Sequence, residues 1–190
     1  MRLLIVPRWA GTPASDFYPW LRAQLAAAHA HLFASVEALD MPEPGTPVIE
    51  AWVDAIVRRI GVDATQVSRT VLLGHSVGCQ AVLRAAAALP TGLAVHGVLG
   101  VAGWWSVDRP WPTLLPWIEA PFDHARARAA GGRLHVLVST DDPYTADHET
   151  TQRLFVERLG AQVRVVDGAR HFNRAEEPAV LEALTALAAI

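Results

Sequence analysis

The chain has a single cysteine, Cys79, among 190 residues, so no internal disulfide can form. That suits a reducing compartment such as the cytoplasm. Eight histidines are present, but none falls in a metal-ligand spacing with that lone cysteine, so no metal is expected. No apolar run approaches the roughly 20 residues of a membrane span. The apolar stretch behind Met1 and Arg2 is too short for a signal-peptide core with its small-residue cleavage site. A soluble cytoplasmic protein is the expectation. Charge of one sign is nowhere concentrated: 16 basic and 19 acidic residues are interspersed and leave a net charge of −3. Without a basic stripe, neither nucleic acid nor a membrane surface is an expected partner, which leaves a small neutral or mildly polar molecule. Internal repeats, linkers and low-complexity tracts are absent. So are a glycine-rich phosphate cradle, a dinucleotide fingerprint and a paired-carboxylate glycosidase pattern, and no cofactor is expected.

What is present is apolar mass in an ordered pattern. Apolar residues make up 52% of the chain, the mean hydropathy is +0.22, and the length suits one domain over residues 1–190. Short apolar runs alternate with longer amphipathic segments, the signature of βαβ units around a parallel sheet. Strands are expected at 3–6, 32–39, 70–73, 93–101, 134–138 and 162–166. Helices are expected at 17–28, 48–60, 77–89, 147–159 and 178–189. The Pro/Gly-rich stretch Met41 to Pro47 must be a loop. Residues 103–122, with four tryptophans, read as an irregular and bulky loop. With about six strands and right-handed crossovers, the expected architecture is a three-layer α/β/α sandwich with a mainly parallel sheet and no large lid.

The segment Gly74-His75-Ser76-Val77-Gly78 matches G-x-S-x-G between an apolar strand and an Ala-rich helix. A nucleophile on such a turn needs small neighbours, so that strand and helix can approach each other. Gly74 and Gly78 supply them. A serine hydroxyl is a weak nucleophile and needs a base held by a third group. In this arrangement the chain order is Ser, acid, His. The strand at 134–138 ends in Asp141-Asp142-Pro143-Tyr144, and the strand at 162–166 leads to His171. All three groups fall just past strand ends, at one edge of the sheet. Asp142 is expected to orient His171, with Asp141 serving the turn. Paired aspartates before a proline are also common turn formers, and His171 read alone also fits a loop histidine bonded to backbone.

An oxyanion hole requires two backbone N–H groups. Val77, at the positive end of its helix, is one candidate, and Trp9, in the loop after the first strand, is the other. On the substrate side the candidates are His75, Trp104 and Trp105. Plain core packing is an equal reading for the tryptophans, and a structural role fits His75, the variable residue of the turn. Cys79, one helical turn behind Ser76, reads as a small buried apolar residue.

These residues resemble the small serine hydrolases that include retinoblastoma-binding protein nine and its bacterial relatives. The resemblance is carried by Ile5-Val6-Pro7, Phe17 to Trp20, Met41-Pro42-Glu43-Pro44, Gly74-His75-Ser76, Ser139 to Tyr144 and Gly168 to Phe172. It implies an α/β-hydrolase fold without a lid domain or cofactor, a triad of Ser76, Asp142 and His171, and hydrolysis of a small ester, thioester or amide. One departure stands out. Relatives usually carry a glycine-rich loop right after the first strand, and this chain has Arg8-Trp9-Ala10 ahead of Gly11. The departure motivates a second reading: a catalytically weak protein on a hydrolase scaffold that acts by binding a protein partner of unknown identity.

Overall fold

The computed structural model describes residues 1–189. Six strands form one sheet: β1 (Arg2–Val6), β2 (Ser35–Ala38), β3 (Thr70–His75), β4 (Gly97–Val101), β5 (Arg133–Ser139) and β6 (Gln162–Val166). Their order is β2-β1-β3-β4-β5-β6, and every neighbouring pair is parallel. The sheet is thus wholly parallel rather than mainly so. It is covered on both faces, which is why its strands read as near-continuous apolar runs. Alternate residues serve the two faces. Leu4, Leu72, Val98 and Val136 join one core, while Leu3, Val71, Leu73, Leu99 and Leu137 join the other.

The eight helices among the described residues are α1 (Tyr18–Ala28), α2 (Ile49–Ile60), α3 (Ala64–Ser68), α4 (Val77–Ala88), α5 (Leu115–Glu119), α6 (His124–Ala130), α7 (His148–Leu159) and α8 (Pro178–Ala189). The first core takes Trp52, Ile56 and Ile60 of α2, most of α4, and parts of α6 and α7. The second takes α1 and α8. Residues 77–86 of α4 are buried on every side, between the sheet and helices α2 and α6, as expected of a helix that is apolar all round. Among the described residues, no helix is long and apolar enough to cross a membrane.

Three expectations shift. The strand expected at 32–39 shrinks to β2, and the one at 93–101 to β4. The tryptophan-rich loop contains a 3-10 turn (Pro112–Leu114) and α5. Two short helices were not anticipated, α3 and α6. Each is capped by an aspartate, Asp63 accepting from the Gln66 N–H and Asp123 from the Arg126 N–H.

The topology determines where chemistry can occur. From β1 the chain moves outward to β2, then crosses back to β3 and continues in one direction to β6. The reversal leaves a crevice at the carboxyl ends of β1 and β3, where ligands bind in open parallel sheets. Ser76 follows β3 at that crevice.

Candidate active site

Ser76 has φ 56° and ψ −117°, a conformation that non-glycine residues rarely adopt. Its surroundings enforce that geometry. A Cβ on Gly74 would lie 2.4 Å from the Gly78 carbonyl oxygen, and one on Gly78 would lie 2.3 Å from the Val6 carbonyl oxygen. Strand β3, helix α4 and the end of β1 therefore meet at backbone contact, with Ser76 at their junction. Its N–H donates to the Val101 carbonyl at 2.8 Å.

The turn after β5 divides its two aspartates between two tasks. Asp141 Oδ1 accepts from Ser139 Oγ and from the Arg170 N–H, each at 2.7 Å. These two bonds, the serine's first, hold its carboxyl below the usual carboxylate range. Asp142 is buried. Its Oδ1 accepts from the Tyr144 N–H at 2.9 Å, and its Oδ2 lies 2.8 Å from Nδ1 of the equally buried His171. A carboxylate only accepts, so Nδ1 carries the proton and Nε2 is left as the acceptor. The ring edge of Tyr144 closes on His171 at 4.8 Å between centroids and an angle of 85°.

Ser76 and His171 line one cavity of about 240 Å³, together with Arg8, Trp9, Trp104, Trp111 and Tyr144. Ser76 Oγ accepts a long hydrogen bond of 3.4 Å from the Trp104 indole N–H. Among the described residues it makes no hydrogen bond to His171. The cavity wall is largely aromatic: Trp9 stacks on Trp111 at 5.2 Å and 12°, and Trp111 meets Tyr144 at 5.6 Å. Its cation is already matched, because the Arg8 guanidinium binds Asp16 through two bonds of 2.8 and 3.2 Å.

The loop after β1 lacks glycine until Gly11, yet it is tightly held. Ala10 takes a positive φ of 54°, and its N–H donates to the Pro44 carbonyl at 2.7 Å. The Trp9 indole donates to Gly45, Trp52 to Pro42, and Trp117 to Pro47. Three tryptophans thereby pin the proline-rich loop, and that loop pins Ala10. The backbone N–H groups of Trp9 and Val77 have no hydrogen-bond partner among the described residues.

The structure parts the three substrate-side candidates. Trp104 lines the cavity. Trp105 does not: it stacks on Phe122 at 6.1 Å and 7°, lies beneath the Arg158 guanidinium, and lines a separate cavity of about 290 Å³. His75 does not reach the cavity either, because as the last residue of β3 it is fully buried beneath it. Cys79 packs inside α4 against Gly100, its thiol pushed up to about 12 by burial.

Two residues that matter locally went unremarked in the sequence. Arg84 donates to Gln80 Oε1 and to the carbonyls of Trp117 and Ala120, and Gln80 in turn donates to the Trp104 carbonyl. A buried polar pair at i and i+4 on an otherwise apolar helix was the available signal.

The serine hydrolase family profile matches residues 3–187. YdeN of Bacillus subtilis (strain 168) is 25% identical over 159 residues, covering 80% of this chain and 78% of YdeN. The YdeN crystal structure superposes with a TM-score of 0.82 at 23% identity, covering 100% of this chain and 99% of that one. More distant likenesses show the fold alone. A structure from work on carboxylesterases of the thaumarchaeon Nitrososphaera gargensis has a TM-score of 0.67 at 13% identity, over 99% of this chain and 90% of that one. The type II thioesterase BorB of the borrelidin biosynthetic cluster has a TM-score of 0.63 at 17% identity, over 98% and 92%. With an α/β-hydrolase sheet matched end to end and the family profile covering nearly its whole length, this chain belongs to the serine hydrolase family and is a hydrolase.

Proposed function

We propose that the protein hydrolyses a small ester, thioester or amide through an acyl-enzyme on Ser76, with His171 as general base and Asp142 holding it. One observation carries this reading: a buried His171–Asp142 hydrogen bond of 2.8 Å opens onto the cavity that Ser76 also lines. His171 Nε2 takes the proton of Ser76 as Oγ attacks the acyl carbon. The oxyanion that forms faces the Val77 and Trp9 amides, the first at the N-terminus of α4. His171 then passes its proton to the departing oxygen, sulfur or nitrogen. Water repeats the sequence and frees the acid and the serine. Asp142 accepts from Nδ1 and stabilises the imidazolium that forms. Before attack, Ser76 Oγ must leave its long bond from Trp104 and engage Nε2, a tightening common when substrate fills a site.

The cavity suits a small neutral acyl group. Its walls are largely aromatic, and the pairing of Arg8 with Asp16 leaves no unmatched cation there for an acidic substrate. The carboxylesterase and thioesterase of the same fold favour oxygen and sulfur leaving groups.

Labelling with a fluorophosphonate probe tests the assignment. Wild type should label rapidly, and Ser76→Ala or His171→Ala should abolish labelling. The bond between Trp104 and Ser76, together with the Arg8-Trp9-Ala10 loop, favours the second reading, a binding protein on a hydrolase scaffold. A folded wild type that stays unlabelled would show that the triad is not assembled and would favour that reading instead.

A further inference from the structure

We infer that Tyr18 and His75 form a buried positioning relay that ties the oxyanion loop, the nucleophile turn and the base together through one chain of hydrogen bonds. The inference rests on the roles proposed above for Trp9, Ser76 and His171.

The chain begins at the loop after β1. The Arg8 N–H donates to Tyr18 Oη at 3.1 Å. Tyr18 Oη lies 2.8 Å from His75 Nδ1, and His75 Nε2 lies 2.8 Å from the His171 carbonyl oxygen. Tyr18 and His75 are both fully buried.

Donor and acceptor counting fixes every proton. A carbonyl only accepts, so His75 Nε2 must carry hydrogen. A neutral imidazole then offers Nδ1 as an acceptor, so the Tyr18 hydroxyl donates to it. Tyr18 Oη keeps a lone pair for the Arg8 N–H. No group in the chain is left unmatched, and no other arrangement of a neutral His75 satisfies all three bonds. Burial first, then the neighbouring His171 and Arg8, keep His75 uncharged and this arrangement in place.

The ends of the chain are its function. Arg8 immediately precedes Trp9, whose amide is the proposed oxyanion donor. His75 immediately precedes Ser76. At the far end, His171 sits between Arg170 and Phe172, each with a positive φ of 51°. Such a backbone persists only where its surroundings over-determine it. Asp141 holds the Arg170 amide, Asp142 holds the imidazole, and His75 supplies the remaining restraint on the His171 carbonyl. Neither Tyr18 nor His75 lines the cavity, so both act through the residues they position.

Two substitutions at position 75 separate the two bonds. Glutamine can place an amide N–H where Nε2 stood and keep the bond to His171. Asparagine can place an oxygen where Nδ1 stood and keep the bond from Tyr18. With p-nitrophenyl acetate as substrate, His75→Gln, which loses the bond from Tyr18 and so frees the oxyanion loop, should lose about tenfold in kcat with KM within about twofold. His75→Asn should lose about 30-fold in kcat with KM within about twofold, because misplacing a reacting group costs rate rather than uniform binding. Wild-type kcat in either variant, or a loss confined to KM, would overturn the relay.

The imidazole itself provides a readout that does not need turnover. Long-range proton–nitrogen NMR on wild type should show His75 as the neutral Nε2–H tautomer from pH 8 to pH 5. An Nδ1–H tautomer, or titration in that range, would also overturn the relay. A folded wild type that neither labels nor turns over ester would defeat the Ser76 assignment alone, and the tautomer would then decide the relay.

Discussion

His75 should make this protein sensitive to mild acid in a measurable way. In the unfolded chain its imidazole binds a proton below about pH 6.5. In the folded protein burial pushes its pKa well below that value, because a proton on Nδ1 would put a charge in a site sealed from water. Between those two values the unfolded state binds one more proton than the folded state, so stability falls as the pH falls. Its contribution is intact above about pH 6.5. While the folded imidazole stays uncharged, the loss is on the order of 1 kcal/mol for each unit of pH below that, or about 2 kcal/mol by pH 5. That is a large share of the 5–15 kcal/mol typical of a folded domain. Urea unfolding followed by tryptophan fluorescence, from pH 8 to pH 5, measures it against His75→Gln, which has no proton to bind there. His96, His124 and His135 are also pushed down by burial, and Glu177 is pushed up, but both proteins share these groups and they cancel in the difference. Parallel pH profiles for the two proteins would refute the argument.

Asp142→Asn keeps the shape of the carboxylate but can offer His171 Nδ1 an N–H, which favours the wrong tautomer; kcat for p-nitrophenyl acetate should fall about 10⁴-fold with little change in fold by circular dichroism. Gly78→Ala would set a Cβ 2.3 and 2.6 Å from the carbonyl oxygens of Val6 and Pro7. Neither backbone atom can yield cheaply, so calorimetry should show a loss of about 3 kcal/mol or more, and fluorophosphonate labelling should slow as the Trp9 loop is displaced. Trp117→Phe removes the donor that lies 2.8 Å from the Pro47 carbonyl while preserving most of the ring volume, and should cost about 1–3 kcal/mol in urea unfolding.

Period and punctuation made most of the fold legible. β6 and α8 fall on the expected residues, and β3, α2 and α7 fall within two residues of them. The strands that shrank, β2 and β4, were extended at the sequence level over apolar residues such as Leu32 and Leu93, which pack against the core from loops. Apolar character reports burial, and a buried residue need not be in a ladder. α3 and α6 were missed because five and seven residues cannot establish a helical period; their aspartate caps at Asp63 and Asp123, and for α6 its run of alanine and arginine, were the local signals. At the site, the order of Ser76, Asp142 and His171 past the ends of β3, β5 and β6 was readable because a parallel sheet places all such ends on one edge. The partners of those residues were not, since Tyr18 meets His75 across 57 positions and His75 meets His171 across 96.

The tryptophans show where a residue-by-residue reading stops. Taken singly, each fits either core or pocket. The loop from Met41 to Pro47 explains why three of them, Trp9, Trp52 and Trp117, are neither alone. Its prolines have carbonyls but no N–H, so the loop is short of donors for its own turns. Indole nitrogens supply them from three different segments, while the rings remain in or against the core. The Ala10 N–H completes the set at Pro44. Ala10 can therefore take a positive φ without being glycine, because a hydrogen bond compensates the conformation that a glycine would adopt freely. The absence of glycine at Arg8-Trp9-Ala10 and the abundance of tryptophan and proline elsewhere are thus one structural fact: the Trp9 amide is placed by a loop that tryptophans hold, instead of by a loop that glycines allow.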